Sequence, residues 1–408
     1  MAAGNDPQTD GGTDREGAFF DLFDPSFQPD TPQVHAAREA CWYARTPLGY
    51  AILRYDEVAA LLRDRRLRQG GMESLAAQGI TKGLLADWMR MSLLNLEGEA
   101  HARLRRLVSQ AFTPRAVDAL RPVMRTTAHE LIDRFATRGA CEFMAAFADP
   151  YPSRIIGALL GIPRERYPQF DGWAGDLGLI FSYAVAEHRT RIEAALLGLA
   201  ACVDDLLAER RAAPGPDLIS GLIAAEEAGD QLSDAELRVL VTALVFAGQD
   251  TTRNQLGCAL ATFLAHPDQW ARLAEAPALA AQAVEEVMRV RPAVPSIWRV
   301  ATEDFDFKGL RIPAGTYLSL FVASANTDPR VFVPGEFDIG RERAAQLTFG
   351  GGLHYCLGAP LARVEMAEAL SILAARLRAP MLAGEVHWRP ALGICGPVTL
   401  PIRFRAAA

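Results

Sequence analysis

The sequence predicts a mainly α-helical protein with small β-sheets, folded as one domain over residues 15–408. Apolar residues recur at helical spacing over most of the chain, whereas strand-like patches are short and few. One predicted helix of about 30 residues runs through the middle of the chain. This mixture argues against a parallel α/β sheet, and no repeat or long linker divides the chain.

Five long segments carry the helical pattern, and prolines or glycines mark several of their ends. The predicted helices cover residues 101–111, 116–135, 189–211, 278–291 and 361–377. The predicted strands cover residues 50–53, 305–307, 316–322 and 398–404. Helix therefore dominates the prediction, and the strands contribute only small sheets.

The longest predicted helix begins at a capping box, with Ser233 as the N-cap and Glu236 reaching back to it. Apolar character continues to about Ala265, where a histidine–proline pair ends the helix. At roughly 45 Å it would cross the whole molecule, and its largely apolar faces require burial. Its middle nevertheless holds a polar insertion at residues 248–253, for which a locally solvated bend is the alternative to a functional role.

Charge and composition argue against two broad classes of protein. The 49 acidic and 42 basic residues give a net charge of -7, too acidic for a general nucleic-acid binder. No stretch approaches the roughly 18 apolar residues that cross a bilayer. Residues 1–14 are polar, without a basic flank or an apolar core, so we expect a disordered tail and no secretory signal. These observations predict a cytoplasmic protein without membrane contact.

Six cysteines are scattered without a CxxC pair or a histidine at zinc spacing. A disulfide scaffold is not expected in so long a chain without an export signal. Most of the cysteines are expected to be small buried side chains, so local context must identify any special one. They are Cys41, Cys141, Cys202, Cys258, Cys356 and Cys395.

The segment FGGGLHYCLGAPLAR, residues 349–363, gives Cys356 such a context. Its three consecutive glycines let the backbone lie close against a bulky group. A helix begins just after Cys356, and the N–H groups of Leu357, Gly358 and Ala359 could stabilise an anionic sulfur there. This arrangement suits a metal-binding thiolate; a nucleophilic cysteine and an inert one are the alternatives that the residues leave open.

The same segment resembles the haem-binding signature of cytochromes P450, Phe-Gly-x-Gly-x-His-x-Cys-x-Gly. The matching positions are Phe349, Gly350, Gly352, His354, Cys356, Gly358, Ala359, Leu361, Ala362 and Arg363. The resemblance, which extends over nearly the whole chain, implies a cytochrome P450-like fold whose long central helix crosses haem b. Cys356 would be the axial ligand of the iron, pushing electron density onto it to favour O–O cleavage. Phe349, His354 and Gly358 would contact the haem.

The polar insertion of the long helix resembles the family's oxygen-activation motif, in the run Ala247-Gly248-Gln249-Asp250-Thr251-Thr252. Ala247 and Gly248 would leave room for dioxygen above the haem. The Thr251 hydroxyl can bond a backbone carbonyl and open the helical ladder. Asp250 would relay protons from outside while Thr251 steadies the distal oxygen, because O–O cleavage to water consumes two protons in an otherwise dry pocket. Asp250 and Thr251 are therefore the predicted catalytic residues.

Four bases match the positions that bind the haem propionates in this family. His101 and Arg105 lie four residues apart and hence on one helical face. Arg299 follows the helix that contains Glu286 and Arg289, and His354 precedes Cys356 by two residues. Arginine suits this task because its planar fork pairs bidentately with carboxylates. Each base alone could be an ordinary surface residue; the order and spacing of the set favour haem binding.

Glu286 and Arg289 match the family's Glu-x-x-Arg helix, an i, i+3 pair that can form a charge-assisted bridge. Such pairs occur on many surface helices, so the pair alone carries little weight. The resemblance adds Arg341 as a third partner. We expect this trio to brace the cysteine loop and to take no part in chemistry.

The resemblance implies a monooxygenase that inserts one oxygen atom of O₂ into a C–H bond or double bond of an apolar small molecule. The chain has no flavin-binding or iron–sulfur cysteine pattern, so the electrons of NAD(P)H must arrive through separate proteins, by resemblance a ferredoxin and a ferredoxin reductase. An acidic ferredoxin would dock on the basic run of Arg103, Arg105 and Arg106, with Arg105 turned inward. We expect a monomer.

Two alternatives belong to other functional classes. A peroxide-driven peroxygenase would lack the acid–alcohol pair, which is intact here as Asp250 and Thr251. A non-catalytic haem protein that recruits a carrier protein would not need complete oxygen-activation residues, although an enzyme could also recognise a carrier that holds its substrate.

The predicted substrate pocket is apolar, which favours an apolar substrate. Segments 69–94 and 170–187 are expected to form its lid. Trp298 is bulkier than the family pattern leads us to expect, so the shape of the pocket is not predicted. Core packing would explain any single pocket residue equally well. The residues expected to face the substrate are Ala243, Phe246, Ala247, Val294 and Pro295.

Overall fold

The computed structural model describes residues 17–24, 26–182, 184–227, 232–342, 345–389 and 393–406. The tail predicted over residues 1–14 lies outside the described residues. The described chain is mainly helical, as predicted. Its helices are α1 (Pro32–Ala40), α2 (Tyr55–Leu61), α3 (Gly71–Ala77), α4 (Leu84–Met91), α5 (Gly98–Ser109), α6 (Pro114–Ala119), α7 (Arg121–Asp133), α8 (Pro150–Leu160), α9 (Tyr167–Leu177), α10 (Val185–Ala212), α11 (Leu218–Glu227), α12 (Asp234–Ala265), α13 (Pro267–Glu275), α14 (Ala280–Val290), α15 (Val322–Ala325) and α16 (Ala359–Arg376).

The strands form small sheets. They are β1 (Tyr43–Thr46), β2 (Gly49–Ile52), β3 (Leu67–Gln69), β4 (Ala140–Glu142), β5 (Ile297–Ala301), β6 (Phe305–Phe307), β7 (Leu310–Ile312), β8 (Tyr317–Leu320), β9 (Leu377–Leu382), β10 (His387–Trp388), β11 (Pro397–Thr399) and β12 (Pro401–Ala406). The largest sheet has the order β1-β2-β8-β5-β3, with only β2 and β8 parallel. A second has the order β4-β12-β9, and β6–β7 and β10–β11 are two-stranded.

Prolines divide two of the predicted elements. The helix predicted over residues 116–135 is interrupted at Leu120, because Pro122, in the first turn of α7, lacks the N–H that would continue α6. The strand predicted over residues 398–404 is interrupted at Leu400, just before Pro401 begins β12. The helices predicted over residues 189–211 and 361–377 are present as single α-helices. Those predicted over residues 101–111 and 278–291 each contain a short 3₁₀ helix at one end, Gln110–Phe112 and Pro277–Leu279.

The long central helix is α12, and its predicted capping box is present. The Ser233 side chain accepts a hydrogen bond from the Glu236 N–H (3.2 Å), and the Glu236 carboxylate accepts one from the Ser233 N–H (2.9 Å). The helix runs for 32 residues and packs against α8, α9, α10 and α14, so most of its side chains are buried. It therefore forms the centre of the largest hydrophobic core.

The cysteine segment lies between this helical core and the five-stranded sheet. On one side it leads into α16, which packs against α7 and α14. On the other side a side chain on Gly350 would contact Ile297 of β5, and one on Gly352 would meet the Leu62 carbonyl after α2. The fold thus holds this segment from both sides.

All six cysteines lie within the described residues, and each is a free thiol. Cys202 and Cys258 are buried, whereas Cys41, Cys141 and Cys395 are only partly buried, so the expectation that most of the cysteines are buried is confirmed for two of them alone. In the described part of the chain, no helix is both long and apolar enough to span a membrane.

Candidate active site

A largely apolar cavity of about 390 Å³ lies between α12 and the cysteine segment. It collects most of the residues that the sequence predicted for the site. Asp250 and His101 are not among its lining residues. Those that do line it are Arg105, Ala247, Gly248, Thr251, Arg299, Phe349, His354, Cys356 and Gly358.

Cys356 lies just before α16, and its side chain is exposed to this cavity. Its backbone N–H donates to the Phe349 carbonyl at 2.9 Å, which closes the loop that carries it. Burial raises the pKa of the Cys356 thiol, whereas the Gly358 N–H and the Arg105 guanidinium act in the opposite direction. The helix N-terminus and a nearby cation thus favour the anionic form of a sulfur that faces the cavity.

The glycines of the cysteine segment are required by backbone geometry. Gly350 and Gly352 have φ angles of 72° and 67°, a region that other residues rarely adopt. A Cβ on Gly352 would also lie 2.9 Å from the Leu62 carbonyl oxygen. A Cβ on Gly358, by contrast, would meet no described atom within 4 Å. Gly350 therefore allows close packing against β5 and Gly352 against the backbone just after α2, whereas Gly358 leaves open space at the cavity.

Thr251 lies on the opposite side of the cavity, in the middle of α12. Its hydroxyl donates to the Ala247 carbonyl at 2.9 Å, the bond expected from the sequence. Three residues further on, the Asn254 side chain donates to the Asp250 carbonyl at 2.7 Å. The carbonyls of Ala247 and Asp250, three residues apart in this helix, therefore each accept a hydrogen bond from a side chain. Gly248 has a packing role as well, because a Cβ there would lie 2.7 Å from the Ile156 side chain of α8.

Asp250 lies outside the cavity, on another face of α12 from Thr251. It is fully buried, and its carboxylate accepts from Arg253 at 2.7 Å and from Arg389 at 3.3 Å. Arg253 also bonds Asp149 at 3.2 Å. A Cβ on Gly178 would lie 2.5 Å from the Asp250 carboxylate, so the segment after α9 covers it closely. The structure therefore separates the predicted acid–alcohol pair into a cavity residue and a buried ion-pair network.

Two of the four predicted bases form a histidine pair. The rings of His101 and His354 lie 4.4 Å apart, and His354 Nε2 lies 3.0 Å from a Glu97 carboxylate oxygen. His101 is buried, and its Nε2 has no hydrogen-bond partner among the described residues. Burial lowers the pKa of His101, and His354 adds to this effect. The pair thus holds an unsatisfied buried nitrogen.

The two predicted arginines face the cavity without an acidic partner among the residues that the structure describes. Arg299 is 3% exposed and donates to the Gln69 side chain and the Trp298 carbonyl, each at 2.9 Å. Burial lowers the pKa of Arg299 to about 10. Arg105 donates to the Tyr355 carbonyl at 2.6 Å, and burial lowers its pKa too. Neither arginine forms an ion pair with a described carboxylate, although a buried cation ordinarily requires one.

The predicted bracing pair is present and buried. Arg289 donates to both carboxylate oxygens of Glu286, at 2.8 and 2.9 Å. It also bonds the Asn326 and Glu336 carbonyls, at 3.0 and 2.6 Å. Arg341 pairs with Glu336 and Asp338, and the Asp338 N–H donates to Glu286. The third predicted partner is thus linked to the pair through the loop that contains Glu336 and Asp338.

Both predicted lid segments contribute to the cavity. Leu93 and Leu94 come from the first segment and Phe181 from the second. Gln78 connects the two, because its side chain accepts from the Val185 N–H at 2.8 Å and donates to the Ser182 carbonyl at 3.5 Å. Of the residues expected to face the substrate, Pro295 is absent from the lining; its carbonyl accepts from the Ala323 N–H of α15.

Three site residues were not found by sequence reasoning. Arg389 pairs with Asp250 from the end of the β10 strand, 139 residues further along the chain. Glu97 contacts His354 from just before α5. Glu365 lines the cavity from α16, and burial raises its pKa well above the ordinary value. No local sequence motif identifies these three residues. Only Glu365 could have been noticed in the sequence, because it is an acidic residue within an apolar helical pattern.

Comparisons with known proteins agree on one family. The family model described as "Cytochrome P450" matches residues 174–381. Luteothin monooxygenase of Streptomyces thioluteus is 42% identical over 95% of this chain and 96% of its own length. The polyketide biosynthesis cytochrome P450 PksS of Bacillus subtilis is 34% identical over 88% of this chain and 90% of its own.

The fold agrees with solved structures. A crystal structure of P450BioI in complex with an acyl carrier protein ligated to hexadec-9Z-enoic acid has a TM-score of 0.84 to this chain. The two share 31% sequence identity over 91% of this chain and 97% of that one. The signature around Cys356, the fold and these relatives lead to one conclusion: the chain belongs to the cytochrome P450 family of haem-iron monooxygenases.

Proposed function

We propose that this monooxygenase binds haem b, with Cys356 supplying the thiolate that would hold its iron, and oxidises an apolar polyketide with electrons from a ferredoxin. The observation that carries the proposal is the Cys356 sulfur, which faces an apolar cavity from the N-terminal end of α16. The Gly358 and Ala359 N–H groups lie at that sulfur and stabilise its anionic form.

Three bases in and beside the cavity fit the propionates of the haem. Arg299 is a buried cation and Arg105 a partly buried one, both without a described acidic partner, and His101 Nε2 lacks a hydrogen-bond partner among the described residues. Two carboxylates at this edge of the cavity would satisfy all three groups. His354 would complete the set, with Glu97 fixing the orientation of its ring.

A haem iron with a thiolate ligand supplies the reductive activation of dioxygen, in which one oxygen atom enters the substrate and the other becomes water. The chain must then deliver protons to a dry cavity. Thr251 holds a hydroxyl at the cavity surface by its bond to Ala247. That hydroxyl can accept a proton from one side and pass one on to the other.

Asp250 would supply those protons from its buried network. Its carboxylate is held between Arg253 and Arg389, away from the cavity. After this side chain takes up a proton from solvent, its rotation toward Thr251 would carry that proton across the helix, and the two arginines would draw the ionised carboxylate back afterwards. Arg389 is thus a positioning residue for Asp250.

An acidic ferredoxin would dock beside the cysteine loop. Leu353 and Tyr355 are 61% and 38% exposed there, and Arg105 links α5 to the same loop through the Tyr355 carbonyl. Arg106 is exposed on α5. Arg103, which the sequence assigned to this face, pairs with Glu236 of the α12 capping box. The docking proposal rests on the exposed position of Arg106 and on the exposed loop.

The substrate class follows from the cavity and from a relative. Ala243, Phe246 and Val294 give the cavity apolar walls, which suit an apolar substrate. The name of the Bacillus subtilis relative places it in polyketide biosynthesis, which supports a polyketide as substrate here.

Isotope labelling tests the proposed reaction. Haem-loaded protein, a ferredoxin, its reductase and NADPH would be incubated under ¹⁸O₂ with a panel of apolar polyketides. We expect a product that carries one labelled oxygen atom. Product without the label, or product that hydrogen peroxide generates as fast as the redox partners do, contradicts the proposal.

A further inference from the structure

Four aromatic rings form a continuous row, which we call the aromatic wall: Phe246, Phe181, Trp298 and Tyr317. Phe246 and Phe181 are stacked, with centroids 5.6 Å apart and 21° between their planes. Phe181 and Trp298 are 6.5 Å apart, and Trp298 and Tyr317 are 6.2 Å apart. The rings come from α12, the turn after α9, β5 and β8. The wall thus connects the central helix, the lid and the sheet.

Three of these rings face the cavity. Phe246, Phe181 and Trp298 all line it, and Phe181 and Trp298 are only partly buried. Tyr317 is 5% exposed and supports Trp298 from behind. Phe246 directly precedes Ala247, whose carbonyl holds the Thr251 hydroxyl. One end of the wall therefore lies beside the catalytic part of α12.

The backbone fixes the lid ring in this position. Gly393 has a φ angle of 99°, and a Cβ there would lie 2.1 Å from the Phe181 carbonyl oxygen. At the other end of the same turn, Gly178 lies against the Asp250 carboxylate. Trp298 is fixed by the sheet, where it pairs with Ser319 of β8. The wall is thus a preformed surface.

We propose that the aromatic wall binds a planar conjugated part of the substrate, an aryl ring or a polyene, in an uncharged molecule. Aromatic rings interact with other π-systems in offset-stacked or edge-to-face geometry, beyond the burial of apolar area. A saturated ligand with the same carbon skeleton gains only the binding free energy that comes from burying apolar area. The charged side chains of the cavity, such as Arg105, Arg299 and Glu365, do not belong to the wall. The inference rests on the proposed function, whose substrate it narrows.

Two ligands of one skeleton test it: trans-stilbene and its saturated counterpart 1,2-dicyclohexylethane. Dissociation constants are measured on the haem-loaded protein from the shift of the Soret band and, independently, by equilibrium dialysis. Phe181→Leu and Trp298→Leu should each weaken stilbene binding about five- to tenfold and change binding of the saturated ligand little. Phe112→Leu is the matched control: Phe112 lines the cavity but has no ring contact with the wall among the described residues.

The control should change both constants by the same factor. Equal losses for both ligands in Phe181→Leu and Trp298→Leu overturn the inference. The reduced carbon monoxide spectrum of each variant separates this result from a failure of the proposed function. If a variant keeps this spectrum and its ratio of the two dissociation constants equals that of the wild type, only the role of the aromatic wall is rejected. If the wild-type protein lacks the thiolate spectrum, the proposed function is rejected, and the inference about the wall with it. Gly393→Ala, which should displace Phe181, is expected to reproduce the Phe181→Leu result.

Discussion

The Thr251 hydroxyl donates to the Ala247 carbonyl at 2.9 Å, in the part of α12 that lines the cavity. The same type of bond occurs once more in this helix, between Thr262 and the Cys258 carbonyl at 2.8 Å. Thr262 is buried, lies about three turns along the helix from Thr251 and does not line the cavity. Substituting each threonine in turn therefore distinguishes the loss of a hydroxyl bonded to a helix carbonyl from the loss of a hydroxyl at the cavity.

Thr251→Val should uncouple electron transfer from product formation, because the cavity loses its proton-passing hydroxyl. We expect product to fall about 10- to 100-fold, while NADPH is still consumed and hydrogen peroxide accumulates. Simultaneous assays of NADPH, peroxide and product measure this partition. The matched variant Thr262→Val should divide the electrons of NADPH between product and peroxide as the wild type does. Equal uncoupling in both variants would contradict the role of Thr251.

Asp250→Asn should slow product formation by about 100-fold and raise the solvent deuterium isotope effect, because proton delivery becomes limiting. It should also lower stability by about 3 kcal/mol, since Arg253 and Arg389 lose a buried carboxylate. Asp171→Asn is the control: its carboxylate bonds Gln249 of the same helix but not this network. An unchanged isotope effect in Asp250→Asn would remove Asp250 from the proton path.

The placement of Asp250 shows where prediction from sequence ended. The motif around Thr251 predicted a hydroxyl bonded to a helix carbonyl, because that bond is local and depends on a spacing of four residues. The position of Asp250 depends on Arg389, which directly follows β10, a strand that pairs with β11. No spacing in the chain encodes that contact, so the sequence predicted Asp250 as a proton relay but not the buried ion pairs that hold its carboxylate.

Arg299→Met should have opposite effects on the haem-free and haem-loaded proteins. Without haem the guanidinium is a buried cation that lacks a described acidic partner, so the variant should be at least as stable as the wild type. With haem the variant should release the cofactor about 30-fold faster or more, because a propionate loses its cation. Thermal melts and haem transfer to apomyoglobin measure the two quantities. Equal destabilisation of both forms would contradict the propionate assignment.

Arg106→Glu should slow reduction by a ferredoxin about tenfold at low ionic strength, with a normal haem spectrum. The difference should shrink as salt is added, because exposed charges are screened. Stopped-flow reduction measures it, and Arg311→Glu in the β6–β7 hairpin serves as the control. Identical rates for both variants would reject docking at α5. Arg103 is left unchanged because its pairing with Glu236 couples it to the α12 capping box.

Glu368 links α16 to α7, and its contribution to stability should depend on pH. Hydrogen bonds from Arg125 and Arg121 lower the pKa of this carboxyl below its ordinary value of 4.5, against the opposing effect of burial. A lowered pKa in the folded state means that the stabilisation is complete above pH 4.5 and is lost as the pH falls through the folded-state pKa.

Glu368→Gln should therefore be less stable than the wild type at pH 7, and the difference should disappear on acidification below pH 4.5. Unfolding with urea at several pH values tests this. Asp133→Asn, whose partner Arg376 is also on α16, is a more exposed control and should change stability less. A difference that grows on acidification would contradict the assignment.

The fold was predictable where a local signal sufficed. Ser233 and Glu236 set the start of α12 because a capping box needs only four residues. Pro401 lies inside a predicted strand and divides it, a consequence that alternating apolar residues alone do not reveal. The aromatic wall could not be predicted from the sequence for another reason: its rings come from four separate elements. Trp298 was noticed only as an unusually large side chain.

The axial ligand is tested most directly by the carbon monoxide spectrum of the reduced protein. If Cys356 binds the haem iron as a thiolate, the wild-type protein should show the strongly red-shifted Soret band of thiolate-ligated haem, and Cys356→Ala should lack it. Absence of that band in the wild type, or its persistence in Cys356→Ala, would contradict the account.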